Sequence, residues 1–236
     1  MRRDAFPDPA TFDFRPWTVV GNYMIHSEGI VAFGTPPTPV NLREAYSKGI
    51  FPWPTDGIPL PWHCPEQRAI LFFDELHISR SLAKARRAST LTFTIDKDFR
   101  AVMHQCSRVR RPEQLGTWIT EKFKSVFGEL HEAGIAHSVE AWSESGNLVG
   151  GLYGVDAGGI FCGESMFHLE ANASKLALLF LIDHLRSRGS TCLDSQVMTP
   201  HMKAFGARGV TREEFLEALR KTQRFGLKLF SREQTS

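Results

Sequence analysis

"GGIFCGESMFHLEANASKLALLF", Gly158 to Phe180, changes its period halfway and thereby decides the fold. The first ten residues alternate as a strand does, the turn "HLEANASK" follows, and "SKLALLFLIDHLRSR" is apolar on most faces of a helix. A helix of that kind must lie buried against a sheet. Within the strand Glu164 is out of place: alternation puts it on one face with Ile160, Cys162 and Met166. An ionised carboxylate buried without a partner costs several kcal/mol. Glu164 therefore needs a buried Arg or Lys, the commoner arrangement, or a cationic ligand.

Working outward, "AHSVEAWSE" and "NLVGGLYGV" are two more strand-like runs, joined by "SGN" and "DAGG", so an antiparallel meander is expected. Downstream, Gly189 stops the helix, "STCLDSQV" reads as one more strand, and "TREEFLEALRKTQRFG" as an amphipathic helix. Upstream, Thr120 caps the helix "EKFKSVFGELHEA", which Gly134 ends; "TLTFTI" and "RAILFF" read as strands. "DKDFRAVMHQCS" and the basic "SRSLAKARRA", capped by Ser79, read as helices. These elements make a layered α+β domain with a mainly antiparallel sheet and a buried central helix. In the first seventy residues "NLREAYSKG" reads as a short helix with an Asn41/Glu44 capping box and Gly49 as its stop. "IFPWPTDGIPLPWHCPEQR" sets five prolines around Phe51, Trp53 and Trp62, which predicts an irregular lining. The expected division is a small α+β domain over 1–67 and a larger domain over 68–236.

The 236 residues suit one large domain, or one domain plus a small appendage. Four scattered cysteines without a CxxC pair and nine histidines without HxxxH spacing predict neither disulfide frame nor metal site. The longest apolar run, "LALLFLI", is too short to span a bilayer, and "MRRDAFPDPATFDF" has no apolar signal core, so a cytoplasmic location without a membrane partner is expected. Net charge is only +2, yet Leu76–Arg111 holds nine Lys/Arg against two Asp/Glu, an excess of +7 against −5 elsewhere. Such a segment is either a polyanion footprint or a solvated helix face. There is no Gly-rich phosphate loop and no GxSxG elbow.

Two further features carry chemistry. Alternation along "TCLDSQV" puts Asp194 and Gln196 on one strand face, where Asp194 can hold the Gln196 amide nitrogen and aim the amide oxygen at a third group. An ordinary polar pair at a sheet edge is the competing reading. In the turn before the buried helix, Asn172 or Ser174 can cap, leaving N–H groups suited to an anion or a carbonyl oxygen.

From about Gly29 to Leu219 the motifs "AYSKGIFPW", "SRSLAKARR", "TWIT", "AHSVEAW", "LVGGLYGV", "FCGESMF", "NASKLAL" and "DSQV", in that order, resemble the leucyl/phenylalanyl-tRNA–protein transferase family. The resemblance implies a C-terminal domain of the GCN5-related acetyltransferase-like (GNAT-like) fold. It implies an aminoacyltransferase that moves Leu or Phe, with Met a further candidate, from aminoacyl-tRNA to proteins beginning with Arg or Lys. The product would be a destabilising N-terminus read by N-degron-dependent degradation. No cofactor and no metal are implied, since the donor ester is already activated. Residue by residue, Asp194 and Gln196 match the catalytic pair, and Glu164 suits the cationic acceptor. Leu152, Phe161, Met166 and Ser174 match the amino-acid pocket. Tyr46, Trp53 and Trp118 match aromatic positions near the terminal adenosine or the acceptor, and Arg80, Lys84, Arg86 and Arg87 the basic cluster along the tRNA stem. The chain departs from the family pattern in "AFGTPPTPVN", "LPWHCPEQR", "DSQ" and Leu152, all at the rim and lining of the site. The rivals are an acyl-CoA-dependent small-molecule N-acyltransferase, which wants a pyrophosphate loop where "HLEANAS" stands, and a non-catalytic tRNA- or degron-binding module, which needs neither Asp194 nor Gln196.

Overall fold

The meander is present as expected: β8 (Ala136–Trp142), β9 (Leu148–Asp156) and β10 (Phe161–His168) pair antiparallel. The computed structural model describes residues 4–109 and 117–230. Arg110 and Arg111 of the basic stretch thus lie outside the described residues. Around the meander runs a seven-stranded sheet that includes β6 (Gln67–Phe72), β7 (Thr92–Ile95), β11 (Cys192–Asp194) and β12 (Arg208–Thr211). Its order is β12-β6-β11-β10-β9-β8-β7, and every neighbouring pair is antiparallel except β10–β11.

Helix α5 (Ala173–Ser187) lies on one face of this sheet. Six of its Leu and Ile side chains are buried, each worth roughly 1.5–3 kcal/mol against exposure. They join Leu152, Phe161 and Leu193 from the strands and Leu82 from α2 (Arg80–Ala88). The other face is covered by α3 (Phe99–Ser107), α4 (Glu121–Glu132) and α7 (Arg212–Phe225), through Val102, Phe127 and Phe215. That second core also takes in Tyr46 of α1 (Pro39–Ser47), Phe51 and Trp62, so the N-terminal segment packs directly on the sheet.

Several local expectations are corrected. The first helix starts three residues earlier than the Asn41/Glu44 capping box implies: Thr38 caps it by accepting from Asn41 N–H, and Pro39 occupies the first turn, where its missing N–H costs nothing. Glu44 instead accepts from the Ala5 and Phe6 amides. The proline-rich stretch is not wholly irregular. β3 (Ile30–Phe33), β4 (Phe51–Pro52) and β5 (Pro61–His63) form a three-stranded sheet, with prolines tolerated because Pro52 lies on an edge strand and Pro61 opens the central one. The hairpin β1 (Trp17–Val20) and β2 (Tyr23–His26), strand β12 and the short α6 (Pro200–Ala204) are additions. Neither Asn172 nor Ser174 caps α5 through a side chain; Asn172 enters it in the left-handed conformation at φ +66°. The strand after α5 stops at Asp194, so Gln196 lies beyond it.

Candidate functional site

β9 and β10 lose register at one point. Gly163 faces Gly154 and Ser165 faces Tyr153, so Glu164 is the extra residue of a β-bulge. Bulges re-aim a side chain. The strands close here because Gly154 has no side chain: a Cβ would come within 2.2 Å of the Cys162 carbonyl oxygen and 2.6 Å of the Phe161 ring. The bulge also reverses the alternation, so Cys162 and Met166 no longer share a face as strict alternation required. Cys162 packs in the α3/α4 core, and Met166, opposite Leu152, packs against the α5 core.

The Tyr46 hydroxyl donates to Glu164 Oε1 at 2.6 Å, and the Gln196 side-chain amide donates to the same oxygen. No salt bridge neutralises Glu164 among the described residues; it is held by two neutral donors. Although Glu164 keeps an opening to a cavity, the protein packed around it excludes most water. Burial therefore raises its pKa from 4.5 to about 7; the negative Asp194 adds to the rise, while the Tyr46 and Gln196 hydrogen bonds and Arg68 oppose it. Burial and the adjacent Glu164 push the Tyr46 hydroxyl well above its ordinary value, so it remains a donor.

The buried cation that Glu164 was expected to need exists, but it belongs to Asp194. Arg68, 1% exposed, grips Asp194, 0% exposed, through Nε–Oδ1 at 2.9 Å and Nη2–Oδ2 at 2.6 Å. Its Nη1 donates to the Gly49 carbonyl at 3.1 Å, and the Phe51 and Phe215 rings lie 4.6 and 4.5 Å from the guanidinium. Burial works against this charge, yet Asp194 holds its pKa above the ordinary value. Asp194 does not hold the Gln196 carboxamide, as strand alternation suggested. Its Oδ1 accepts from the Gln196 backbone N–H at 2.8 Å. Gln196 is the centre of a three-residue turn closed by Val197 N–H on Ser195 C=O at 2.7 Å, and has φ +64°. Such turns are strained, and a non-glycine residue persists there only where its surroundings over-determine it. Here the Arg68–Asp194 pair holds one side and Glu164 the other.

In front of this network lies a cavity of about 700 Å³. Leu152, Phe161, Met166, Leu178, Leu181 and Leu193 form an apolar wall, Trp53 and Trp118 line it as well, and Glu164 and Gln196 are joined in the polar part by Ser165, Ser195, Thr199 and His201. Tyr46 stands behind Glu164 and Asp194 behind Gln196. Ser174 is not part of this lining; it borders an adjacent cavity that shares Met166 and His201. Arg80, Lys84, Arg86 and Arg87 lie on α2, outside both cavities, and Arg86 is engaged by Asp183 of α5. Arg68, Leu178, Leu181 and Leu193 were not anticipated as site residues. The signal for Arg68 was a cation opening the apolar run "RAILFF". Among the described residues no three His, Cys, Asp or Glu side chains gather as metal ligands, and no helix is long and apolar enough to cross a membrane.

Comparison with known proteins places these residues in context. A family model described as leucyl/phenylalanyl-tRNA protein transferase matches residues 70–220, and one described as the N-terminal domain of the same enzyme matches 36–66. Proteins named leucyl/phenylalanyl-tRNA–protein transferase are similar over most of their length. That of Syntrophus aciditrophicus is 47% identical over 197 residues, 84% of this chain and 82% of its own. That of Shewanella denitrificans is 48% identical over 191 residues, 81% and 80%. That of Pseudomonas aeruginosa strain PAO1 is 44% identical over 210 residues, 89% and 91%. Among solved structures, L-PGS from Bacillus licheniformis covers 68% of this chain and 65% of its own at 12% identity and a TM-score of 0.42, a likeness too loose to bear on the site.

Proposed function

The chain belongs to the leucyl/phenylalanyl-tRNA–protein transferase family and is a transferase, and from that premise we propose that it moves Leu or Phe, with Met a further candidate, from aminoacyl-tRNA to the α-amine of proteins beginning with Arg or Lys. The product is an N-terminus marked for N-degron-dependent degradation, and the reaction takes place in the cytoplasm without metal or cofactor. The single observation that carries this reading is the Glu164 carboxylate, set by a bulge at the junction of an apolar wall and two tryptophans, with both of its internal donors on Oε1. Oε2 is left to accept from a cationic acceptor.

In this reading Leu152, Phe161 and Met166 hold the donor side chain, with Ser174 at the margin, and Trp53 and Trp118 flank the terminal adenosine. Gln196 gives its N–H to Glu164, so its amide oxygen is left to accept from the attacking amine. An amide oxygen is a poor base; its part is orientation, and orientation alone contributes on the order of 7–11 kcal/mol in favourable cases. The neutral amine attacks the ester carbonyl, the new C–N bond replaces the C–O bond to the ribose, and the ribose oxygen leaves with the amine's proton. Asp194 and Arg68 position Gln196, and Arg80, Lys84 and Arg87 meet the tRNA stem.

The same reading divides the chain at 67/68 and assigns 68–236 a GNAT-like fold. The bulge in β10 supports that assignment, as does the parallel β10–β11 contact, which lasts only two residue pairs before the strands separate at the site. The test is direct: purified protein, Leu- or Phe-charged tRNA, and peptides beginning with Arg, Lys or Ala. Label should appear on the Arg and Lys peptides alone. Transfer from an acyl-CoA instead, or tRNA binding without transfer, would install one of the two rival readings.

A further inference from the structure

The second cavity, of about 710 Å³, adjoins the first through Met166 and His201. Arg108, His168, Lys175 and His201 line it, and among the described residues no Asp or Glu does. None of these four forms an ion pair among the described residues. Burial, with Lys175 and His168 nearby, holds the His201 imidazole below its ordinary value, as a site short of negative charge would.

The cavity is also bordered by the first turn of α5. The Ala173 and Leu176 amides find acceptors in the Glu170 and Asn172 carbonyls, at 3.2 and 2.9 Å. Those of Ser174 and Lys175, between them, meet no acceptor among the described residues. Independently of the helix end, the Ser174 side chain borders the cavity, is 5% exposed and has no hydrogen-bond partner among the described residues. His201 Nε2, on the wall shared by both cavities, is fully buried and also has no partner among the described residues, and a buried polar atom in that state calls for an explanation. The turn is fixed in place from below: a Cβ at Gly150 of β9 would stand 2.6 Å from Ala173 Cβ and 3.0 Å from Ser174 N.

We propose that this cavity is an anion subsite that takes a phosphodiester of the donor, the one next to the ribose carrying the amino acid. The inference rests on the aminoacyl-tRNA reading above. With the ester in the first cavity, the adjoining one receives the neighbouring backbone phosphate. Its single negative charge meets Lys175 and Arg108, and its two free oxygens accept from the Ser174 hydroxyl and the unpaired amides.

Two probes isolate the phosphate: adenosine, and the methyl ester of adenosine 5′-monophosphate, a monoanionic diester. Binding of each to the full chain is read by tryptophan fluorescence, in wild type, Lys175→Ala, Arg108→Ala and the double variant. Lys175 and Arg108 are exposed, so these variants should fold. The diester should bind at least about tenfold tighter than adenosine, the scale of one charge-assisted hydrogen bond. Each substitution should erode that advantage and the double variant should abolish it, with adenosine affinity unchanged. Equal affinities in wild type, or an advantage that survives the double variant, would overturn the subsite. The transfer assay separates this from the reading beneath it. Transfer with no phosphate advantage keeps the transferase and removes the subsite; a phosphate advantage with no transfer does the reverse.

Discussion

Replacing Arg68 by Met should damage stability and transfer by separable routes. The substitution keeps the volume of the stem but leaves Asp194, fully buried, without its cation, and the Gly49 carbonyl without a donor. Breaking one side of a buried pair costs about 3–5 kcal/mol. In a chain of this size each kcal/mol lowers the midpoint by roughly 2–4 °C, so thermal unfolding followed by circular dichroism should shift down by roughly 6–20 °C. The double variant Arg68→Met/Asp194→Leu removes both charges and should recover part of that loss. It cannot recover all of it, because the Gln196 N–H loses its acceptor at 2.8 Å and an unsatisfied buried group costs about 1–3 kcal/mol. Transfer should not recover with stability, since nothing then holds Gln196 at φ +64°. A midpoint lowered by under about 2 °C in Arg68→Met would refute the electrostatic account. Restored transfer in the double variant would refute the claim that Asp194 positions Gln196.

Glu164, with a pKa raised to about 7, should give transfer to Arg-starting peptides that rises as pH passes through about 7, and Glu164→Gln should leave only the acceptor amine's own limb, at about 8, while raising KM for the peptide. Its effect on stability has the opposite sign: the folded state holds the proton more tightly than the unfolded one, so the contribution is full below pH 4.5 and lost as pH rises through about 7, a slope that the Gln variant should lack in urea titrations. Replacing Arg80, Lys84 and Arg87 together by Ala should weaken tRNA binding and reduce its log–log salt slope by about 0.7–0.9 per lost contact, measured by filter binding; an unchanged slope makes them solvated surface. Gly150→Ala should push α5 off β9 at a cost of about 1–3 kcal/mol, read by unfolding, because its Cβ would stand 2.6 Å from that of Ala173; a neutral substitution would show that the helix start can shift freely.

The meander and the buried α5 were legible because their patterns are local: period two with tight turns, then an apolar helix stopped by Gly189. Glu164 was legible as an anomaly for the same reason. Its true setting was not, because a bulge is a defect in periodicity that depends on Gly154 across the sheet. The polar character of Asp194 and Gln196 could be read off the strand, while their bonding could not. A left-handed residue just past the strand end breaks the alternation, and the cation that satisfies Asp194 lies 126 positions earlier. Short strands interrupted by prolines, such as Phe51–Pro52, carry too few residues to show a period at all. The start of α1 departs from the Asn41/Glu44 pattern for a simpler reason, since Thr38–Pro39 is a stronger start signal.

The central claim is that Glu164 and Gln196 act as one unit, the carboxylate fixing the amide and the amide orienting the amine. Single-turnover transfer from Phe-charged tRNA to an Arg-starting peptide, both saturating, isolates that step from binding. Gln196→Ala and Glu164→Gln should each slow it on the order of 10²-fold, the scale of a misplaced nucleophile, and the double variant should lose little more than either alone. Losses that multiply in the double variant, or near-wild-type rates in both single variants, would contradict the account.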